Sequence, residues 1–287
     1  MFLASQLEKP ILIEGPPGVG KTELANTAAL YFKKDMIRLQ CYEGLDESKA
    51  LYEWRYGKQL LYTQILKEQM QEVLEGAKGL KESLDRLMKF EDIFFSEDFL
   101  ETRPLLEALT SEKGSVLLID EVDKSDEEFE ALLLEILSEF QISIPELGVR
   151  KADIKPLVVL TSNNSREIGD ALKRRCLHLY IPFPDAKLER QIVQARVPEI
   201  SESMQIQLVN FVQGIRELDL KKLPAISETI DWAKTVILLN SEELDAKLAE
   251  DTLNVLLKHQ QDIEVVKKEI PALVSSATET SDGKSLN

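Results

Sequence analysis

The sequence predicts a three-layer αβα domain on a parallel sheet, followed by an all-α domain. Up to about residue 184, apolar runs alternate with segments of helical period; beyond it no strand pattern recurs. The strand runs are continuously apolar rather than alternating, as in strands buried on both faces.

Taken in order, "PILIEG" (10–15) reads as a strand, "KTELANTAALYFKK" (21–34) as a helix and "MIRLQC" (36–41) as a strand. "SVLLID" (115–120) is a strand, and "EEFEALLLEILSEF" (127–140) is a helix with Ser125 or Asp126 as its N-cap. "PLVVLTS" (156–162), "REIGDALKRR" (166–175) and "CLHLYIPF" (176–183) read as strand, short helix and strand. Strand–helix alternation of this kind implies right-handed crossovers. The first domain thus spans 1–184, with a helical insertion at about 59–104 and a hairpin around "PELG" at about 141–156. Pro182 and Pro184 mark the boundary. A helical lid follows over 185–272, and the polar 273–287 read as a disordered tail.

Within the insertion, Leu66, Met70, Val73, Ala77, Leu80, Leu84 and Leu87 keep a four-three spacing, a heptad seam. Gly76 and Gly79 weaken it, so a helical hairpin broken there is an equal reading. Packing on its own domain is favoured over an intermolecular coiled coil.

Composition narrows the function. Lys plus Arg number 35 and Asp plus Glu 51, a formal charge of −16. That argues against nucleic acid as the primary partner, because phosphate binding wants a basic face. No apolar run spans a bilayer, and "MFLASQLEKP" lacks the features of a signal peptide, so the chain reads as cytoplasmic with no membrane partner. Cys41 and Cys176 lie inside apolar runs and read as buried reduced thiols. His178 and His259 sit on different elements, which argues against a His/Cys metal site.

Three stretches carry chemistry. "GPPGVGKT", Gly15, Pro16, Pro17, Gly18, Val19, Gly20, Lys21 and Thr22, matches the phosphate-binding loop and sits between a strand and a helix, as that loop requires. Its glycines let successive N–H groups turn toward one anion, and the helix N-terminus adds partial positive charge. Lys21 can reach the β- and γ-phosphates of a nucleotide, and Thr22 can supply a hydroxyl to Mg²⁺. "VLLIDE" delivers Asp120 and Glu121 at a strand end. Asp120 suits the Mg²⁺ shell, and Glu121 suits a base that polarises water. "VVLTSNN" places Asn163 at the end of the strand expected beside Asp120, where an amide orients water or contacts the γ-phosphate.

These three stretches in this order, with "ALKRR" after them and helices behind, resemble the AAA+ ATPases, and within them the MoxR family. The hairpin before the Asn163 strand is similar to the pre-sensor hairpin of that clade. "RLQCYEGLDESKALYEW" (38–54) and "LPAISETIDWAK" (223–234) resemble the CoxD-like branch, associated with carbon monoxide dehydrogenase and other molybdenum hydroxylases. The resemblance implies an ATP- and Mg²⁺-dependent ring, usually a hexamer, that remodels a client as a chaperone. It further implies a partner with a von Willebrand factor A domain and a client metalloenzyme, a molybdenum hydroxylase whose metal centre is being completed. In the family the arginine just before the last strand acts in the neighbouring subunit's site, which points to Arg175. Arg174 is then a second contact or a helix-terminal cation.

The chain departs from the family pattern in three places. Only nine residues precede Pro10, where relatives usually carry a helix and a base-contacting segment. The 64–90 seam is longer than the usual insertion. Where many relatives have a sensor arginine on the third lid helix, "PAISET" offers Glu228, so no second sensor is assigned, although Lys221 and Lys222 are near. A nucleic-acid AAA+ motor such as a clamp loader, and a ring subunit that binds ATP without hydrolysis, are the alternatives. Acidic composition counts against the first, and Glu121 with an intact "GKT" against the second. A GTPase is disfavoured by the lack of an Asn-Lys-x-Asp motif.

Overall fold

A computed structural model of the chain describes residues 1–74, 96–145, 147–241 and 243–282. The chain forms two compact units. One comprises Met1–Glu14 with Lys21–Tyr180; the other comprises Gly15–Gly20 with Ile181–Asn287. Among the described residues no helix is long and apolar enough to cross a membrane.

The first unit begins with α1 (Phe2–Leu7), β1 (Ile11–Glu14), α2 (Lys21–Phe32) and β2 (Asp35–Gln40). It continues with α3 (Glu47–Ala50), β3 (Tyr52–Trp54), α4 (Tyr56–Leu74), β4 (Leu100–Thr102) and α5 (Pro104–Leu109). β5 (Ser115–Asp120), α6 (Glu127–Glu139), β6 (Gln141–Ile144), β7 (Gly148–Lys151), β8 (Leu157–Ser162), α7 (Asp170–Arg175) and β9 (Leu177–Tyr180) complete it.

Five strands form one parallel sheet in the order β2-β5-β8-β1-β9. Every residue of β5 and β8 is buried, as their unbroken apolar sequences require. Leu117, Ile119, Val158 and Leu160 join a core with Phe129, Leu133 and Ile136 of α6. Fully burying each such side chain is worth about 1.5–3 kcal/mol, so these central strands anchor the sheet. β9 is an edge strand and stays largely exposed despite its apolar sequence. Asp126 rather than Ser125 caps α6, accepting the Phe129 N–H at 2.8 Å. β6 and β7 pair antiparallel, with Ile142 and Ile144 turned inward.

α1, β3 and β4 are among the elements without a sequence signal. α1 is a short helix before β1, buried only at Ala4. β3 and β4 pair antiparallel at the base of the insertion, with Glu53 directly opposite Glu101. Like charges so placed repel, and Arg103 relieves them, lying 2.5 Å from Glu53 and 3.3 Å from Glu101. The seam expected at 66–87 lies outside the described residues, apart from the helical backbone of α4 through Leu74.

The second unit holds α8 (Ala186–Arg196), α9 (Glu202–Arg216), α10 (Ile226–Leu238), α11 (Ala246–Leu256) and α12 (Gln260–Asp282). Asp185, Ser201 and Asp245 cap α8, α9 and α11 through their side chains. Phe211 and Trp232 lie 5.2 Å apart in the core, and the Trp232 indole N–H donates to Thr252 Oγ1 at 2.7 Å. The expected disordered tail is corrected over its first part. α12 passes through Pro271 and continues to Asp282 because Leu273 and Ala277 still bury on the lid core, a packing gain that outweighs the polar composition. Residues 283–287 are outside the description.

One ion pair is buried in this unit. Arg216 donates to both Glu189 oxygens at 2.6 and 2.8 Å, with side-chain exposures of 6% and 0%. Gln213 and Thr229 add donors to Glu189 at 2.7 and 2.8 Å, so both carboxylate oxygens are satisfied. Removing one member of such a pair strands a buried charge. Arg216→Ala should therefore cost about 3–5 kcal/mol in urea unfolding, where an exposed pair would cost about 1 kcal/mol or less. A loss in the lower range would contradict the account.

Candidate active site

The parallel sheet sends the carboxyl ends of β1, β2, β5 and β8 to one edge, where open α/β sheets bind ligands. β1 delivers the chain to the glycine loop, and α2 begins at Lys21. Gly18 and Gly20 hold φ of +74° and +94°, a region L side chains rarely adopt. Gly18 also lies against the start of α10. A Cβ there would stand 2.6 Å from Ala225 Cβ and 2.9 Å from Ser227 Oγ.

β5 ends in Asp120, which is 4% exposed. Thr161 of β8 donates to its Oδ1 at 2.5 Å, and Arg38 of β2 donates to its Oδ2 at 2.5 Å. The Thr22 hydroxyl stands 3.3 and 3.4 Å from the two oxygens. Thr22 and Asp120 thus converge as hard oxygen donors, fit for a small divalent cation that completes its shell with phosphate and water. No cluster of three or more His, Cys, Asp or Glu able to hold a metal occurs among the described residues, and a site of this type does not need one.

Glu121 adopts the left-handed region at φ 57°, ψ 48°. Its N–H donates to Thr161 Oγ1 at 2.9 Å. Its carboxylate accepts from Asn163 Nδ2 at 3.1 Å, Gln40 Nε2 at 2.9 Å and Lys124 Nζ at 2.6 Å. The bond to Glu121 holds the Lys124 ammonium above its ordinary pKa. Lys21 is buried, and burial pulls its pKa down against the opposing pull of Asp123, Asp120 and Glu121.

The structure brings Lys21, Thr22, Asp120, Glu121 and Asn163 to one place. Arg174 and Arg175 are exposed in the last turn of α7, and neither side chain makes a hydrogen bond or ion pair among the described residues. Glu228, at the place of the second sensor, accepts from the Ala225 N–H at 3.2 Å and Ser227 Oγ at 2.8 Å. Lys221 and Lys222 give their backbone N–H groups to Asp262. Sequence reasoning missed Arg38, Gln40, Lys124, Asp123 and Thr161. The i, i+2 spacing of Arg38 and Gln40 at the end of the strand beside β5 was the available signal.

A family model for the AAA domain of the dynein-related subfamily matches residues 10–176, more than half of the chain. The chain belongs to that family. Around this AAA domain the chain is 26% identical over 221 residues to the gas vesicle ATPase GvpN of Haloferax mediterranei, covering 73% of this chain and 57% of that protein. It therefore spans little more than half the length of that relative. An uncharacterized protein of Staphylococcus epidermidis is 23% identical over 219 residues, covering 74% of this chain and 70% of its own. Among solved structures, the RuvB Holliday junction branch migration motor of Thermotoga maritima matches with a TM-score of 0.51 at 16% identity, over 99% of this chain and 80% of that one. That likeness is one of fold and carries no function with it.

Asp123 braces the site from behind. It is 3% exposed and accepts the Asn163 N–H at 3.2 Å and the Ser165 N–H at 2.9 Å, together with the Ser165 hydroxyl. Burial disfavours its charge, yet these bonds outweigh burial and hold its pKa below the ordinary value. A depressed carboxylate pKa stabilises the fold above the unfolded value of about 4, and that contribution fades as pH falls through the lower folded value. Asp123→Asn should thus be less stable than the wild type near pH 7, with a gap that closes in acid. Urea unfolding from about pH 7 to 3 measures it, and a gap constant across that range would falsify the assignment.

Proposed function

We propose that the chain is a Mg²⁺-dependent ATPase that works as a ring. The observation that carries this reading is the convergence of Lys21, Thr22, Asp120, Glu121 and Asn163 at the carboxyl edge of the sheet. The AAA family match and a relative named as an ATPase support it.

Lys21 and the backbone N–H groups of Gly15–Gly20 bind the phosphates. Thr22 and Asp120 would hold Mg²⁺, and the ion would supply positive charge against the phosphate oxygens. Glu121 takes the proton from an attacking water, and Asn163 orients that water or the γ-phosphate. To take a proton, a Glu121 oxygen must first be released by one of its three donors, Asn163, Gln40 or Lys124.

Arg175, with Arg174 beside it, is proposed to complete the neighbouring subunit's site. Its exposure and lack of a partner among the described residues support this over a helix-end cation. The MoxR resemblance extends the reading to chaperone-like remodelling in a hexamer, in the cytoplasm, with a von Willebrand factor A domain partner. The resemblance of two stretches to the CoxD-like branch supports a molybdenum hydroxylase as the client. A nucleic-acid motor is disfavoured by the −16 charge. An ATP-holding subunit without turnover is disfavoured by Glu121 and its setting.

Lys21→Ala should abolish tight ATP binding. Glu121→Gln should keep ATP binding and lower turnover about a hundredfold or more. Wild-type hydrolysis in Glu121→Gln removes the base assignment.

Arg175→Ala should leave ATP affinity and thermal stability near wild type and lower turnover, by up to about 10³–10⁵-fold for a trans arginine. Mixed with Lys21→Ala, it should form interfaces that join an intact loop to an intact arginine, so mixtures should exceed either variant alone. Steady-state ATPase across mixing ratios, with subunit exchange confirmed, decides. Strict additivity at every ratio rules out an arginine supplied in trans.

A further inference from the structure

Asp120 is held differently on its two oxygens. Oδ1 is tied into the fold, because Thr161 donates to it while accepting the Glu121 N–H. Oδ2 is held by Arg38 Nη2 at 2.5 Å, from a side chain that is 50% exposed. The same nitrogen donates to Gln40 Oε1 at 2.7 Å. Arg38 and Gln40 are two apart on β2, so both project from one face of the sheet beside Asp120.

The guanidinium is half exposed while the Asp120 carboxylate is nearly buried, so the pair is open to exchange from the arginine side alone. Its position has a consequence. The Thr22 hydroxyl donates to the Asp120 oxygens at 3.3 and 3.4 Å, long for O–H···O bonds, so turning to a metal would cost it little. A guanidinium and a divalent metal sharing Oδ2 would be like charges a few ångströms apart, and they repel strongly at that range. Without Arg38, the metal-free protein would keep Asp120 as a nearly buried carboxylate with hydroxyl partners alone, a costly state.

We propose that Arg38 is a displaceable counter-cation for Asp120. Its guanidinium and the nucleotide's divalent metal take Oδ2 in alternation, and Gln40 retains the guanidinium when it lets go. Arg38 is therefore a positioning residue that sets how readily the site accepts its metal. This rests on the reading of Asp120 as the metal carboxylate.

The test is metal binding by the full chain with saturating ADP, titrating Mn²⁺ and reading free Mn²⁺ by electron paramagnetic resonance. The Mg²⁺ dependence of a fluorescent ADP analogue gives a second readout. Arg38→Ala should lower the half-saturating metal concentration about two- to five-fold, the shift that one weak, half-exposed ion pair allows. Arg38→Lys keeps a cation without the planar fork, and should fall between Arg38→Ala and wild type. An arginine that merely props Asp120 in place predicts the opposite sign, with weaker metal binding in Arg38→Ala. Unchanged or weaker binding overturns the proposal. Melting in EDTA checks that the variants fold, and if Arg38→Ala does not, Arg38→Gln must show the same tightening. Nucleotide binding by the wild type with no metal dependence would instead remove the metal reading of Asp120, and the proposal with it.

Discussion

The candidate site depends on keeping a carboxylate charged at the end of a strand with no solvent on either face. β5 carries Asp120 there because Val116–Ile119 are apolar throughout and lock between β2 and β8. Moving an ionised carboxylate out of water is costly unless it is paired and hydrogen-bonded. Thr161, Thr22 and Arg38 supply those partners from three different elements. The apolar strand sets the position, and the neighbouring strands supply the charge balance. Neither works without the other, which is why the candidate site lies at the junction of β2, β5 and β8.

Glu121 extends this logic by one residue. A non-glycine residue in the left-handed region is disfavoured by about 1–2 kcal/mol, and such strain persists only where the surroundings hold it. Here the Glu121 N–H is fixed by Thr161, and its carboxylate by Asn163, Gln40 and Lys124. The twist turns its side chain away from the direction strand alternation would dictate, so Asp120 and Glu121 serve one site although they are adjacent. Carboxylates Asp120, Glu121 and Asp123 are met by cations Lys21, Arg38 and Lys124, so the site is close to neutral in a strongly acidic chain.

Much of this was legible in the sequence. The four strands from Ile11, Asp35, Ser115 and Leu157 announced themselves as apolar runs, and the glycine loop by its spacing between the first strand and the helix from Lys21. β3 and β4 were not legible, because three-residue strands are too short to show a period and each finds its partner across the whole insertion. The partners of Asp120 and Glu121 were not legible either. Arg38, Gln40 and Lys124 read as ordinary surface polar residues until β2 and the turn after β5 are placed beside Asp120. α12 outran its expected end for a related reason: Leu273 and Ala277 find a surface to pack on that no local pattern in a polar tail announces.

The lid shows how one substitution in a family pattern is absorbed. A carboxylate at position 228 could only repel a phosphate, and Glu228 is engaged elsewhere, accepting the Ala225 N–H and the Ser227 hydroxyl at the start of α10. It acts there as a capping carboxylate, favourable at a helix N-terminus. The same turn meets Gly18, where even a methyl group would collide with Ala225 and Ser227. Small residues at 18, 225 and 227 therefore depend on one another, and the loop packs on this turn by shape. Shape alone brings no positive charge. Glu228 is thus taken up within its own turn, which gains a cap and a close fit to Gly18 rather than a cation.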